Sequence, residues 1–334
     1  MSGNAAPNRW IDLSAGAPWE LPRHSERIVR ARGYIFESLQ EIKDDRLRFS
    51  VTDMLKAATS PDRILIARSK LLDCDERTAR KFRERLPYDP TWAAPGARRP
   101  SHHSYPGGWA LHTALNLRAA KSLVKDASSG KNAKLDADTI IAAMILHDWA
   151  KLRLLVWGPD HSLDGDEGPG HHELALAECM ARGFSPRLVQ LMAGIHGGWW
   201  TNPGAVRKSL ADAAHLVSDL VDTGTYLQDL GMETSLESWI VHQGERSWYA
   251  PSRSLLAAVD DKLRRIFAPD GGAQESFARL RNTVYMIFDE FELAELLSRE
   301  ATGEVKGVLE GALSATLPAV GAFALFREEG MDAE

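Results

Sequence analysis

Cysteine is scarce in this chain: Cys74 and Cys179 are the only two in 334 residues. They lie far apart and form no CxxC pair, so a disulfide framework is not expected and a cytoplasmic location is. Clustered positive charge is also missing. The formal net charge is −6 and there is no long Lys/Arg run, which disfavours a broad nucleic-acid-binding face, because neutralising many phosphates needs many cations. A small phosphorylated ligand needs only one or two local cations and is not excluded. Long apolar runs are absent as well. One uncharged stretch, Gly311 to Phe326, contains Pro318 and is short of the roughly 20 residues that span a bilayer. A buried terminal helix or a partner contact is the expected use of it. The opening MSGNAAPNRW has no basic segment followed by an apolar run, so no secretory signal is expected.

Strand-like alternation is scarce too, and what remains is helical periodicity. Residues 1–22 are an irregular lead-in with Pro7, Pro18 and Pro22. A helical pattern runs from Ser25 to about Lys43, with Ile28, Ile35, Leu39 and Ile42 at helical spacing. A second spans Ser60 to Leu86, opened by a Ser-Pro start signal. Pro87, Pro90, Pro95, Gly96 and Pro100 then mark a linker. Helical segments follow at Trp109–Lys125, Ala137–Leu155, His172–Arg182, Pro186–Ile195, Ala205–Leu230, Leu255–Phe267 and Ala273–Arg299. The expected fold is mostly α: a helical bundle over 96–230, preceded by a helical region (1–95) and followed by another (231–334). No internal repeat is visible.

Histidine is concentrated where chemistry would need it. Eight of the eleven lie between residues 102 and 196. His102-His103-Ser104-Tyr105-Pro106-Gly107-Gly108-Trp109 is a turn leading into a helix whose first turn carries His112. The apolar run Ile140 to Leu146 ends in His147-Asp148. Neighbouring helix residues point about 100° apart, yet both can reach one ion beyond the helix end, and that ion would offset the cost of an Asp in apolar surroundings. Lys151 shares the face of Asp148 and can serve as its ion-pair partner or hold a substrate phosphate. His171-His172-Glu173 opens another helix, and His196-Gly197-Gly198 closes one. Downstream, Asp212, His215, Asp219 and Asp222 form a polar stripe, mostly a solvated face, from which one carboxylate could turn inward. Trp109, Trp149, Trp157, Trp199 and Trp200 crowd the same window. Core packing is the plainer role for them, and a base-stacking pocket wall the sharper one.

This order of His, then His-Asp, then two further His and a late Asp resembles the HD-domain superfamily of metal-dependent phosphohydrolases. HHSYPGGWALHT is similar to the entry helix of the branch containing certain 3′–5′ exoribonucleases and HD-type conjugative relaxases. AAMILHDWAK resembles the signature helix, GHHELALAE and GIHGG the third and fourth histidine sites, and VSDLVD the closing aspartate segment. Carried onto this chain, the resemblance implies a first metal held by His112, His147, Asp148 and Asp219. It also implies a second metal, or a substrate phosphate, met by His171 or His172 and by His196. It favours His171, because a small residue, Ala175, follows four positions later. Asp148, Lys151, His171 and His196 become the candidate catalytic groups, and Arg118 a further cation for the phosphate.

Several imidazoles with two carboxylates suit Mn, Fe, Co, Ni or Zn better than Mg, as one ion or two, and water activated by such an ion can attack phosphorus at neutral pH. The expected function is therefore metal-dependent hydrolysis of a phosphomonoester or phosphodiester in a nucleotide-like substrate. A small substrate is favoured over long nucleic acid by the acidic balance, and a homo-oligomer is possible. Alternatives from other classes are an HD-fold di-iron oxygenase, a relaxase-like nucleic-acid processing domain, and a non-catalytic HD-fold binding or regulatory module.

Overall fold

A computed structural model describes residues 16–130, 134–165, 170–246, 252–267 and 274–299, with short pieces at 304–305, 307–309 and 311–312. Most of the lead-in and of the uncharged stretch from Gly311 lie outside these residues. The architecture is mostly α, with fourteen helices and one two-stranded antiparallel ribbon among the described residues. The helices are α1 (Glu26–Gln40), α2 (Asp45–Ala57), α3 (Glu76–Arg83), α4 (Pro90–Ala93), α5 (Gly108–Gly130), α6 (Ala137–Leu146) and α7 (Lys151–Leu154). Strands β1 (Val156–Trp157) and β2 (Leu163–Asp164) follow, with Val156 opposite Asp164. Then come α8 (His171–Ala181), α9 (Pro186–Gly197), α10 (Pro203–Leu216), α11 (Leu236–Arg246), α12 (Arg253–Phe267), α13 (Gln274–Ile287) and α14 (Glu290–Arg299).

Four helices close a ring: α5 packs on α6, α6 on α9, α9 on α11, and α11 back on α5. One member of the ring, α6, has residues Thr139 to Leu146 all buried. A helix apolar all round can only sit inside a core. α1 covers the outer side of α5, and α8 and α10 cover α9. One apolar cluster joins these elements without a break, from Leu21 to Leu309. The regions before and after 96–230 thus share its core.

Helix starts follow ordinary capping chemistry. Asp44 accepts from the N–H groups of Arg46 and Leu47, Asp136 from Thr139, Ser185 from Leu188 and Asn202 from Ala205, each satisfying a donor that the helix leaves unpaired. Several expected helices are shorter than their periodicity suggested. Ser60–Leu86 resolves into three 3₁₀ turns and the short α3. The backbone there finds partners outside a helix: Leu65 and Ile66 donate to the Glu178 carboxylate, and Lys70 donates to Asp219. Helix α10 stops at Leu216 instead of reaching Leu230, and Asp222 turns the chain by accepting from the Gly224 N–H. Three helices had no counterpart in the periodicity reading: α2, α11 and the short α4, which lies where a linker was expected.

Candidate metal centre

The expected helix over Ala137–Leu155 breaks at the residues that matter most. After Leu146 the backbone tightens: Trp149 donates to the Leu146 carbonyl and Lys151 to that of Asp148. Those i→i−3 bonds bring His147 and Asp148 to one side, with His147 Nε2 3.4 Å from Asp148 Oδ2. The Nδ1–H of His147 donates to the Met144 carbonyl at 2.8 Å. That bond fixes the tautomer and leaves the Nε2 lone pair facing the cluster, the usual preparation of a ligating histidine.

His112 comes from the first turns of α5. The turn before it depends on two glycines. Gly107 has φ +82, and a Cβ on Gly108 would lie 1.9 Å from the His103 carbonyl oxygen. Only glycine permits both. The turn also lays the His102 ring against that of His112, 5.4 Å between centroids and 28° apart. His112 Nε2 lies 3.1 Å from Asp148 Oδ2. His171 at the start of α8 and His196 near the end of α9 approach the other oxygen, Oδ1, at 3.5 and 3.6 Å. His172 packs between them, its ring 3.7 Å from both.

The second carboxylate is Glu245, from α11. Its oxygens lie 3.3 Å from His112 Nε2 and 3.3 Å from His147 Nε2. Asn116, one turn after His112, reaches His112 Nε2 at 3.2 Å and His147 Nε2 at 3.4 Å, and its amide donates to Glu245. His242, one turn before Glu245, donates through Nδ1 to the Ile195 carbonyl at 2.7 Å, which holds the backbone beside His196.

Asp219 was expected to close the set, and the structure does not bring it there. Its carboxylate accepts from Ser69 Oγ and the Lys70 N–H at 2.7 and 2.8 Å, tying the 3₁₀ turns to the end of α10. It is a surface anchor, and Glu245 holds the late-carboxylate position. Arg118 is also elsewhere: it is exposed, its guanidinium 5.0 Å from the Tyr34 ring. Lys151 is buried, with Nζ 2.8 Å from Asp148 Oδ2 and 2.9 Å from the Gly96 carbonyl, so it is an ion-pair partner of Asp148. The tryptophans are core. Trp149, Trp157 and Trp199 each donate from the indole to a backbone carbonyl, of Met54, Ala93 and Gln190. Of the five, Trp109 is buried and Trp200 is exposed.

Charge in the cluster is tightly coupled. Burial alone would raise the Asp148 carboxyl, but Lys151, His147, His112 and His171 outweigh it and hold it well below the usual carboxylate range. Burial likewise would raise Glu245, and His112, His147 and His196 hold it well below. The His112 imidazole is pulled down by burial, yet Glu245 and Asp148 lift it to about 9. Burial lowers His196, and lowers His172 well below its ordinary value with help from His196 and His171.

These residues fit a divalent ion. One ligand atom each from His112, His147 and Glu245 lie within 4.8 Å of one another, as do those from Asp148, His171, His172 and His196. Asp148 Oδ1 and His196 Nε2 are buried and make no hydrogen bond, a costly state for polar atoms that coordination relieves. Glu245 and Asp148 favour the protonated form of His112, and a cation held there would take the place of that proton. A second triad, His102, His103 and His112, extends the cluster toward the loop.

Compared with known proteins, the chain is 30% identical over 167 residues to a protein named 3′-5′ exoribonuclease YhaM from Shouchella clausii (strain KSM-K16). The match covers 46% of this chain and 50% of that protein, so the chain spans about half the length of the curated relative it matches. No family model matches the chain, and no solved structure does. The buried His/Asp/Glu groups could hold a metal ion.

Proposed function

We propose that this chain is a metal-dependent phosphodiesterase acting on a nucleotide-like substrate, with Asp148 at the middle of the residues that would hold one or two metal ions. The observation that carries the reading is the convergence of four imidazoles and two carboxylates from α5, α8, α9, α11 and the α6–α7 turn around the two oxygens of Asp148. His112 and His147 approach Oδ2, while His171 and His196 approach Oδ1. One ion would be held by His112, His147, Asp148 and Glu245. The other would be held by Asp148, His171, His196 and the adjoining His172. The name of the relative adds the chemical class, cleavage of phosphodiesters in RNA.

Divalent transition ions bound there supply Lewis acidity toward a phosphoryl oxygen and activate water as a nucleophile. The chain's own residues do the rest. Lys151 and Gly96 hold Asp148 against rotation. Asn116 orients His112, His147 and Glu245 together. His242 fixes the backbone that presents His196. Positioning groups around metal ligands ordinarily matter by about 10–100-fold in affinity or activity.

The test is hydrolysis of bis(p-nitrophenyl) phosphate and of end-labelled RNA by the full chain supplied with Mn²⁺. Turnover that disappears with a chelator, and in Asp148→Ala, is the expected result. A wild-type chain that loads with metal but cleaves no phosphodiester under any of Mn, Fe, Co, Ni or Zn would overturn the reading.

A further inference from the structure

Asn116 is fully buried on α5, one turn after His112. It meets Glu245 because α11 comes close to α5 at Gly244. A Cβ on that glycine would lie 2.9 Å from the Ala120 Cβ and 3.3 Å from the Asn116 backbone carbonyl oxygen, so a larger residue would push the two helices apart. The Asn116 amide nitrogen lies 3.2 Å from His112 Nε2 and 3.4 Å from His147 Nε2, and it donates to Glu245. The other end of the amide is in a different state: Oδ1 is buried and accepts no hydrogen bond.

These separations are those of ligands around one ion. Two donors about 2.1 Å from a shared cation, at about 90–109° to each other, stand roughly 3.0–3.4 Å apart. His112 Nε2 lies 3.1 Å from Asp148 Oδ2 and 3.3 Å from a Glu245 oxygen. His147 Nε2 lies 3.4 Å and 3.3 Å from the same two carboxylates. The end of the Asn116 side chain stands as far from both imidazole nitrogens as the carboxylates do, as a fifth corner of the same set.

Without a cation, the amide nitrogen belongs at that corner, since Glu245 and the His147 Nε2 lone pair can accept from it. A cation takes up those lone pairs. The amide nitrogen only donates, so a side chain left as it is would face the ion with its hydrogens and keep its oxygen unpaired. Both ends would then be unsatisfied in a buried site, which is costly. A half-turn about χ2, a broad and roughly two-fold torsion, puts Oδ1 at the corner instead, where its lone pair meets the ion.

We propose that Asn116 turns its amide when a divalent ion binds and becomes an oxygen ligand of the ion held by His112, His147, Asp148 and Glu245. This rests on the metal-dependent reading above and adds the class of ion. Two imidazoles with three oxygens make five ligands and leave one corner of an octahedron for water. Manganese(II) and iron(II) take such a set, and a carbonyl oxygen suits manganese in particular, whereas zinc is satisfied by four ligands. Asn116 thus tilts this position from zinc toward manganese.

The experiment measures the affinity of the full chain for Mn²⁺ and for Zn²⁺ by competition with a fluorescent chelator, in wild type, Asn116→Leu and Asn116→Asp. Leu keeps the volume and removes the oxygen, while Asp keeps an oxygen and removes the N–H donor. Asn116→Leu should weaken Mn²⁺ binding about tenfold or more and Zn²⁺ binding by no more than about threefold. Asn116→Asp should hold Mn²⁺ at least as tightly as wild type. A residue that only orients His112, His147 and Glu245 would behave otherwise: both ions would weaken alike in Asn116→Leu, and Asn116→Asp, unable to donate to Glu245, would weaken them too. Equal losses of the two ions in Asn116→Leu, Mn²⁺ binding by Asn116→Asp weaker than wild type, or a wild-type chain that takes up neither ion overturns the proposal. Melting in EDTA shows whether the variants fold, and if Asn116→Leu does not, the comparison of Asn116→Asp with wild type decides. Failure of the hydrolase reading looks different: no phosphodiester is cleaved, while the preference for Mn²⁺ still depends on Asn116.

Discussion

Asp148→Asn separates what this residue does for the fold from what it does for the centre. Asp148 and Lys151 are both buried, with Nζ 2.8 Å from Oδ2. The substitution keeps shape and one acceptor but leaves the Lys151 ammonium without its counter-charge. Removing one partner of a buried pair costs about 3–5 kcal/mol, and the retained amide oxygen places this case near the lower figure. At about 2–4 °C per kcal/mol for a large domain, melting in EDTA should fall by about 6–12 °C. Asp148→Asn/Lys151→Met removes both charges and should recover most of that loss, since exchanging a buried pair for an apolar side chain is often neutral. It should recover no turnover and no tight metal binding, because the Asp148 carboxylate is still missing. Melting curves in EDTA and a phosphodiesterase assay with Mn²⁺ read both effects. An Asp148→Asn chain that melts like wild type, or a double variant that regains turnover, would refute the reasoning.

Other consequences follow from the same geometry. Glu245→Gln keeps the Asn116 contact but removes a charge from the first ion's ligands, and metal affinity by competition with a chromogenic chelator should drop at least 10-fold. Asp219→Asn should leave metal content and turnover unchanged, in contrast to the expectation from sequence, as elemental analysis and the same assay would show. Burial raises the Glu290 carboxyl from 4.5 to about 7, opposed by the His103 N–H. The folded chain therefore binds more protons than the unfolded one between these values, and this group's contribution to stability declines as pH rises from about 4.5 to 7. Urea unfolding at pH 5 and pH 7.5 should show a smaller pH dependence in Glu290→Gln, by about 2 kcal/mol.

Much of the cluster was legible because several of its residues carry local signatures. His147-Asp148 stands out against an apolar helix, and the two glycines before His112 announce a tight approach of backbone. Glu245 was not legible by the same route. It lies on α11, in a region with no recognised motif, and its one local hint is His242 at i and Glu245 at i+3, which share a face of an amphipathic helix. Asn116 had a similar hint, one turn beyond His112. Asp219 attracted attention because it sits where a resemblance expected an acid, but capping and anchoring use the same residue type. Helix content was read well where apolar spacing is sustained, as in α1, α5 and α6. It was overestimated at Ser60–Leu86, because side chains such as Glu178 and Asp219 offer that backbone partners which no local pattern reveals.

The central claim is tested most directly by elemental analysis of the untreated full-length protein beside His147→Ala/Asp148→Ala. The account predicts one to two equivalents of a divalent transition metal per wild-type chain, retained through gel filtration and absent from the double variant. A folded wild-type chain that carries none, and takes up none from Mn²⁺, Fe²⁺, Co²⁺, Ni²⁺ or Zn²⁺, would contradict it.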